Sequence, residues 1–130
     1  TGSVFFHNID TILYNRKFDF LKDIFANNAS GYIDVFKSNN HEYSYVLTKD
    51  NLVSVISEKI LISDMATSGL YGFASKELFL NNFEDELYIS EVIQKLISKN
   101  VKINVGKMYS EKETVVLGTP VDYLNLSRMI

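Results

Sequence analysis

The sequence contains no cysteine, no tryptophan and a single proline. Without cysteine, disulfide bonds, thiolate metal sites and a thiol nucleophile are excluded. Its apolar runs are far shorter than the roughly 20 residues that a membrane-spanning helix requires, so no membrane segment is predicted. We expect a cytoplasmic protein, because the sequence shows neither a disulfide framework nor a charged-then-apolar leader.

Basic residues are too few and too dispersed to form a nucleic-acid-binding face. The 13 lysines and arginines stand against 16 acidic residues, which gives a net charge of -3, and no nucleic-acid partner is expected. Hydrophobic residues make up 46% and charged residues 22%, proportions that indicate a folded protein rather than a disordered one. Its 130 residues predict one domain, 1-130, with a core of its own.

The chain enters a β-strand pattern at Val4, directly after Thr1-Gly2-Ser3. With no helix or loop before that strand, we interpret the chain as a fragment. Its richness in Asn, Lys, Ile and Ser is typical of proteins from AT-rich bacterial genomes.

Strand and helix patterns alternate along the chain and predict an α/β fold. Ile89, Val92, Ile93, Leu96 and Ile97 repeat at helical spacing and predict an amphipathic helix. Helices are also predicted around 18–25 and over 75–83. A further helix is predicted to begin at Pro120, with Thr119 as the N-cap of that helix. Strands are predicted at 4–9, 32–36, 69–73, 101–105 and 114–117, with a hairpin of strands 43–47 and 52–56.

The strongest candidate site lies where the hairpin ends, at Glu58 and Lys59. Neighbouring residues of a strand face opposite sides, so both can contact one ligand only if the backbone turns there. Thr67, Ser68 and Gly69 follow in the next strand and add hydroxyls and close backbone approach. Open α/β sheets bind ligands at strand ends, which favours a site for a polar, anionic small molecule. The alternative is a solvated Glu-Lys pair.

Asp10 follows a strand and is a candidate ligand for a divalent cation. From such a position a carboxylate can hold the cation against a phosphate. The alternative is an aspartate that starts a turn by accepting a hydrogen bond from its own backbone. His7 and His41 have no second histidine at metal-ligand spacing, so both are expected to be surface or cap residues.

Five segments occur in an order and at spacings that together resemble one enzyme family. They are Asn8-Ile9-Asp10-Thr11, Val55-Ile56-Ser57-Glu58-Lys59, Thr67-Ser68-Gly69-Leu70-Tyr71, Leu87-Tyr88-Ile89-Ser90-Glu91-Val92 and Leu117-Gly118-Thr119-Pro120. The chain resembles the C-terminal, sugar-phosphate-binding portion of the bacterial sugar-1-phosphate nucleotidylyltransferases, from about Val4 to its end.

The resemblance implies a Rossmann-like, three-layer mixed sheet with helices on both faces, incomplete at its N-terminal side. It implies a reaction in which a sugar 1-phosphate attacks the α-phosphate of a nucleoside triphosphate and pyrophosphate leaves. Asp10 would be the catalytic aspartate that binds Mg²⁺. Glu58 would hold sugar hydroxyls, Lys59 would meet the sugar's phosphate, and Thr67, Ser68 and Gly69 would form the wall of the sugar pocket.

Three departures from the family pattern shape the expectation. The glycine-rich N-terminal segment that grips the triphosphate is absent, so the chain alone is expected to be inactive and not to bind the nucleotide. Val116 stands where many members carry a second metal-binding aspartate. Ser44, after Tyr43, stands where a pocket glycine is usual.

The leading hypothesis is therefore part of a nucleotidyltransferase that serves capsule or other surface polysaccharide synthesis. The alternative is a non-catalytic sugar-phosphate-binding or assembly domain on the same scaffold. A third hypothesis is a small α/β domain without a ligand. Because an incomplete sheet leaves an edge strand unpaired, we also expect self-association, for example as a homo-oligomer.

Overall fold

The computed structural model describes residues 2–19, 21–26, 29–117 and 120–129. Within these ranges the chain forms a mixed α/β fold. Its strands are β1 Val4–His7, β2 Thr11–Leu13, β3 Gly31–Lys37, β4 Ser44–Lys49, β5 Leu52–Glu58, β6 Met65–Phe73, β7 Ile103–Tyr109 and β8 Thr114–Val116. Its helices are α1 Leu21–Ala26, α2 Lys76–Leu80, α3 Ile89–Ser98 and α4 Pro120–Met129, with a 3₁₀ turn at Glu111–Glu113.

The main sheet has six strands in the order β1-β6-β3-β7-β5-β4. β3 and β7 run parallel, whereas β6 is antiparallel to both β1 and β3. The β4–β5 hairpin touches this sheet at two points, Leu52 opposite Asn104 of β7 and Tyr45 opposite Ala66 of β6. β2 and β8 form a separate antiparallel pair. A mixed α/β sheet is thus confirmed, while the predicted three-layer, Rossmann-like arrangement stays a prediction.

The hairpin turn explains how Glu58 is delivered to the end of its strand. Asp50 and Asn51 have φ angles of 54° and 64°, and two consecutive positive φ angles are typical of the tight turn that matches strand twist. The predicted hairpin is confirmed. Its register pairs Glu58, the last residue of β5, with Ser44, the first residue of β4.

Among the described residues, helix α3 supplies the helical side chains that are fully buried in the core. It packs on β5 and buries Val92, Ile93 and Leu96 completely, as the helical spacing predicts. Each such side chain contributes about 1.5–3 kcal/mol relative to an exposed position. The core continues through aliphatic side chains of the sheet, Ile33, Val35, Val46, Val53, Ile56, Ile103 and Val105.

Both neighbours of β3 are irregular opposite Asp34. Ile33 and Val35, which flank Asp34, pair with Tyr71 and Thr67 of β6, so three residues of β6 face one of β3. On the other side they pair with Val105 and Met108 of β7, so two residues of β7 face the same position. Such bulges bend a strand and re-aim its side chains, and here they flank the cavities described below.

Some element boundaries differ from the sequence-based prediction. β6 begins at Met65 rather than at Gly69, and β7 covers Ile103–Tyr109 rather than 101–105. β2, only three residues long, was not predicted. The expected N-cap Thr119 lies outside the described residues. Within the described part of the chain, no helix is long and apolar enough to cross a membrane.

Candidate functional site

Glu58 is fixed by two serine hydroxyls from different elements. Ser44 of β4 and Ser90 in the first turn of α3 both donate to the same carboxylate oxygen, Oε2, and the bond from Ser90 is 3.0 Å long. Both serines are buried, whereas Glu58 is half-buried. Because the second oxygen, Oε1, has no hydrogen bond to a described residue, it remains available as an acceptor.

This carboxylate lines a cavity of about 420 Å³. The size falls in the usual range for small-molecule sites, which is roughly 300–1,000 Å³. Its walls are formed by the end of β1, the start of β4, the middle of β6 and the N-terminal end of α3. The residues lining it are Asn8, Glu42, Tyr43, Ser44, Glu58, Thr67, Gly69, Tyr71, Leu87, Tyr88, Ile89 and Ser90.

Tyr71 places a phenol in the cavity wall. Its hydroxyl lies 3.1 Å from the hydroxyl of Thr67. Burial raises the pKa of Tyr71 to about 12, and the nearby Glu58 carboxylate acts in the same direction. The phenol therefore stays protonated at neutral pH and, with Thr67, can both donate and accept hydrogen bonds.

Asp10 lines a smaller cavity of about 240 Å³ next to the first. The two cavities share Asn8, Glu42, Tyr43 and Thr67 among their lining residues. The Asp10 carboxylate accepts a hydrogen bond of 3.3 Å from Thr11, and the Asp10 carbonyl accepts one of 2.7 Å from the Leu117 amide. Val116, opposite Thr11 in the β2–β8 pair, lines the same cavity.

The structure separates Glu58 from its neighbour Lys59. The backbone turns at Lys59, where φ is 57°, and the exposed lysine lines neither cavity. Ser68 lines the Asp10 cavity rather than the Glu58 cavity, whereas Gly69 lines only the larger one. Glu58, Thr67 and Gly69 are therefore brought together, and Lys59 is not.

The two cavities are acidic. Glu58, Glu42 and Asp10 supply carboxylates, and among the described residues no lysine or arginine lines either cavity. Carboxylates accept hydrogen bonds from hydroxyl groups, so the arrangement suits the hydroxyls of a polyol. A phosphate in the same place requires a cation to offset the like charge.

The oxygen atoms that line the Asp10 cavity are of the type that Mg²⁺ prefers. This ion is usually held by one or two carboxylates together with waters and a substrate phosphate. Asp10 and Glu42 offer two carboxylates, and Asn8 adds an amide oxygen. Within the described residues no group of three or more acidic or histidine side chains could hold a metal by itself. This donor set would need further oxygen ligands to hold Mg²⁺.

A buried ion pair beside the Asp10 cavity was not predicted. Asp34 of β3 is fully buried and lies 2.9 Å from the guanidinium of Arg16, whose side chain is 2% exposed. Ser68 donates to the same carboxylate at 2.6 Å, and Tyr32 donates to its other oxygen at 3.3 Å. The guanidinium lies 4.0 Å from the centre of the Tyr109 ring. The only signal in the sequence was an acidic residue within an apolar strand.

The fold and the site together define an α/β protein with an acidic, hydroxyl-lined cleft, and solved structures of similar fold are known. A nucleoside-diphosphate-sugar pyrophosphorylase from Vibrio cholerae RC9 is 27% identical, with a TM-score of 0.83 over 98% of this chain and 56% of its own. The structural neighbours are sugar-phosphate nucleotidyltransferases, which confirms the resemblance predicted from the sequence.

More distant structures share the fold. The inositol-1-phosphate CTP transferase from T. maritima is 18% identical, with a TM-score of 0.70 over 94% of this chain and 51% of its own. A UDP-glucose pyrophosphorylase solved with UDP-glucose is 11% identical, with a TM-score of 0.73 over 98% of this chain and 55% of its own.

The chain spans about half the length of these proteins, which is consistent with the predicted C-terminal portion of such an enzyme. No protein-family model matches its sequence. No curated protein matches it by sequence either.

Proposed function

We propose that this chain is the sugar-phosphate-binding part of a nucleotidyltransferase. In the whole enzyme, an oxygen of the sugar 1-phosphate attacks the α-phosphorus of a nucleoside triphosphate. The bond between the α- and β-phosphates breaks, and pyrophosphate leaves. One observation carries the proposal. In this chain, whose fold is similar to that of a nucleoside-diphosphate-sugar pyrophosphorylase, Ser44 and Ser90 hold Glu58 and leave one of its carboxylate oxygens available to a ligand.

The proposed recognition uses hydroxyl groups of the sugar. Oε1 of Glu58 accepts a hydrogen bond from one hydroxyl, while Tyr71 and Thr67 supply a neutral donor and acceptor on the facing wall. Gly69 has a φ of 95° and brings the backbone close to Asn8, whose side chain fills the space that a β-carbon would need. Gly69 therefore allows Asn8 to pack into the cavity wall that the ligand would contact.

The proposed place of the phosphate is the Asp10 cavity, with Mg²⁺ as a counterion. Asp10 would hold the ion, which neutralises charge on the transferring phosphoryl group when bound. Lys59 is further away on the exposed turn, and its proposed contact with the phosphate stays a prediction. We propose that a glycine-rich segment, which this sequence does not contain, binds the nucleoside triphosphate. We therefore expect the chain alone to be inactive. For the whole enzyme we propose a role in surface polysaccharide synthesis.

Calorimetric titration of the chain with several sugar 1-phosphates, with and without Mg²⁺, tests the sugar site. We expect Mg²⁺-dependent binding that Glu58→Gln weakens about 10–100-fold, because a hydrogen bond to a charged group contributes roughly 1.5–3 kcal/mol. Glu91→Gln is the matched control, since that residue is exposed on α3 and lines neither cavity. Equal affinity of wild type and Glu58→Gln would falsify the assignment.

Two variants in the smaller cavity test the metal. Asp10→Ala should remove the Mg²⁺ dependence of binding, whereas Val116→Asp adds a carboxylate to the same cavity and should strengthen it. If Asp10→Ala binds sugar phosphate with unchanged Mg²⁺ dependence, the metal role is wrong. Turnover assays of the chain and of a longer version that includes a glycine-rich segment test the expected inactivity, which activity of the short chain would refute.

Val116 favours a second candidate function. This apolar residue lies beside Asp10, where the family resemblance implies a second metal-binding aspartate. We propose as the alternative a non-catalytic sugar-phosphate-binding or assembly domain on the same scaffold. It predicts Mg²⁺-independent binding of sugar phosphates and no turnover even when the glycine-rich segment is present.

A further inference from the structure

A third cavity, of about 790 Å³, shares no lining residue with the two described above. It lies along β7, between the hairpin turn and the segment after β2, and we name it the β7 cavity. Its lining residues are Asn15, Lys17, Ile24, Asn51, Asn104, Val105, Gly106, Lys107 and Tyr109. The volume lies in the usual range for small-molecule sites.

The bulge in β7 opposite Asp34 forms one wall of this cavity. The extra residue in β7 arises at Gly106 and Lys107, which stand between Val105 and Met108, and both line the cavity. A β-carbon at Gly106 would lie 2.6 Å from the Tyr32 hydroxyl, so only glycine allows this close packing. Because a bulge redirects side chains, it accounts for the presence of Lys107 in the wall.

The charge of the β7 cavity is opposite to that of the whole chain. Lys17 and Lys107 line it without an accompanying carboxylate, although the net charge of the protein is -3. Within the described residues, neither lysine forms an ion pair. The carboxylate of Glu113 lies beside the cavity, because Asn15, a lining residue, donates to one of its oxygens at 3.1 Å while Ser110 donates to the other. The hydrogen bonds from Ser110 and Asn15 lower the pKa of Glu113, and the charge of Lys107 adds to that shift.

The remaining walls are held in place and offer neutral hydrogen-bonding groups. The amide of Val105 donates to the carbonyl of Asn51 at 3.2 Å, which fixes the hairpin turn against β7. The side chains of Asn51 and Asn104 make no hydrogen bond to a described residue. Tyr109 packs under Arg16, and the ammonium of Lys107 lies 5.7 Å from the centre of its ring.

We propose that the β7 cavity is a second binding site, for a phosphate monoester. Its phosphate binds between Lys17 and Lys107, and its neutral part meets the amides of Asn51 and Asn104. Charge-assisted hydrogen bonds from ammonium groups to phosphate are among the stronger polar contacts of proteins. The site is independent of the acidic cavities and does not require the function proposed for them.

The test uses adenosine 5′-monophosphate as the probe, titrated calorimetrically into the Glu58→Gln chain without Mg²⁺. The substitution weakens the sugar cavity, and the absence of Mg²⁺ removes the counterion proposed for a phosphate in the Asp10 cavity. We expect one saturable site, and about tenfold weaker binding in Lys17→Gln and in Lys107→Gln, which corresponds to about 1.4 kcal/mol each. Lys112→Gln is the matched control, because it removes the same charge outside the cavity. Circular dichroism and thermal melting verify that each variant is folded.

Three results would overturn the proposal. One is the absence of binding at millimolar probe. The second is an equal loss in Lys112→Gln, which indicates a general charge effect. The third is binding of unphosphorylated adenosine as tight as that of its monophosphate. None of these results bears on Glu58, so failure here and failure of the sugar site are separately visible.

Discussion

At the scale of single residues, Asp34 is a fully buried carboxylate whose charge depends on its partners. The carboxylate has no solvent exposure, and Arg16, Ser68 and Tyr32 together satisfy both of its oxygens. Since Asp34 lies in β3, Ser68 in β6 and Arg16 after β2, the pair joins three segments of the chain. It also turns the Ser68 hydroxyl toward Asp34.

Asp34→Asn should be strongly destabilising. Asparagine retains the size of the side chain but leaves the buried guanidinium of Arg16 without a countercharge, for which losses of about 3–5 kcal/mol are typical. Urea denaturation measures the change. The exposed pair of Glu84 and Lys95, 3.6 Å apart, provides the control, since Glu84→Gln should cost less than about 1 kcal/mol. Similar losses in the two variants would contradict this account.

Gly69→Ala should lower both stability and ligand binding. Its φ of 95° is unfavourable for alanine, and the new β-carbon would lie 2.5 Å from Cγ of Asn8, which lines both acidic cavities. We expect a loss on the order of 1–3 kcal/mol in unfolding free energy and weaker sugar-phosphate binding. Gly2→Ala is the control, because no atom lies within 4 Å of the added carbon. Unchanged binding in Gly69→Ala would show that the packing of Asn8 against Gly69 does not shape the sugar site.

The sequence predicted some residues of the candidate site, but it did not predict the contacts that hold them in place. Glu58, Thr67 and Gly69 were predicted because the sequence pattern put them near strand ends with suitable chemistry. The structure places all three around one cavity, although Thr67 and Gly69 lie within β6. Ser90 was not recognised as a partner of Glu58, since that contact depends on how α3 packs on β5. The pairing of Arg16 with Asp34 likewise has no local signal, because a bulge and a loop bring the two together.

At the scale of elements, Lys95 of α3 ties the loop between α2 and α3 to its helix. The ammonium pairs with Glu86 and Glu84 and donates to the carbonyl of Asn82 at 3.1 Å. The same loop carries Leu87 and Tyr88 into the wall of the Glu58 cavity. Its position therefore depends on a cluster of charges.

This cluster predicts an acid-dependent part of the stability. The hydrogen bond from Lys95 lowers the pKa of Glu86 from about 4.5 to about 2. A lowered native pKa means that the stabilisation is complete above about pH 4.5 and is lost as the pH falls toward 2. The difference in melting temperature between wild type and Glu86→Gln should therefore be largest above pH 4.5 and vanish near pH 2.

Asp85→Asn controls for the charge itself, because Asp85 lies in the same loop and forms no ion pair within the described residues. We expect no comparable step for it over that pH range. A difference between wild type and Glu86→Gln that stays constant from pH 6 to pH 2 would show that the ion pair does not contribute.

The elements that sequence predicted well are those with a long, regular pattern. Helix α3 shows five apolar residues at helical spacing, and the hairpin has turn residues that tolerate positive φ. The start of β6 was missed because Thr67 and Ser68 are polar yet buried, so their strand shows no apolar alternation. The three-residue strand β2 exists through its pairing with β8, which no local pattern reveals.

At the scale of the whole molecule, the distribution of charge separates two kinds of surface. The acidic cavities at Glu58 and Asp10 suit hydroxyl donors and a cation, whereas the β7 cavity suits an anion. The Arg16–Asp34 pair lies between the Asp10 cavity, which Ser68 lines, and the β7 cavity, which Tyr109 lines. One buried ion pair thus contacts a lining residue of each of these two cavities.

The edge of the main sheet carries an apolar surface. β1 is the last strand on its side, and no described residue pairs with its outer edge. Phe5 of β1 is 41% exposed, its ring centre is 6.3 Å from that of Phe25, and with Phe18, Leu21 and Leu70 it lines a hollow without polar surface. An unpaired edge strand beside apolar side chains is a template for pairing with another chain.

We therefore expect the chain to self-associate through β1, in a way that depends on protein concentration. Phe5→Lys should shift sedimentation velocity profiles toward monomer, because a charged side chain on an edge strand disfavours edge-to-edge pairing. Val121→Lys is the matched control: Val121 is 64% exposed on α4, and the same change there should leave association as in wild type. A wild-type chain that stays monomeric at millimolar concentration, or equal dissociation by both substitutions, would show that the β1 edge is not the contact.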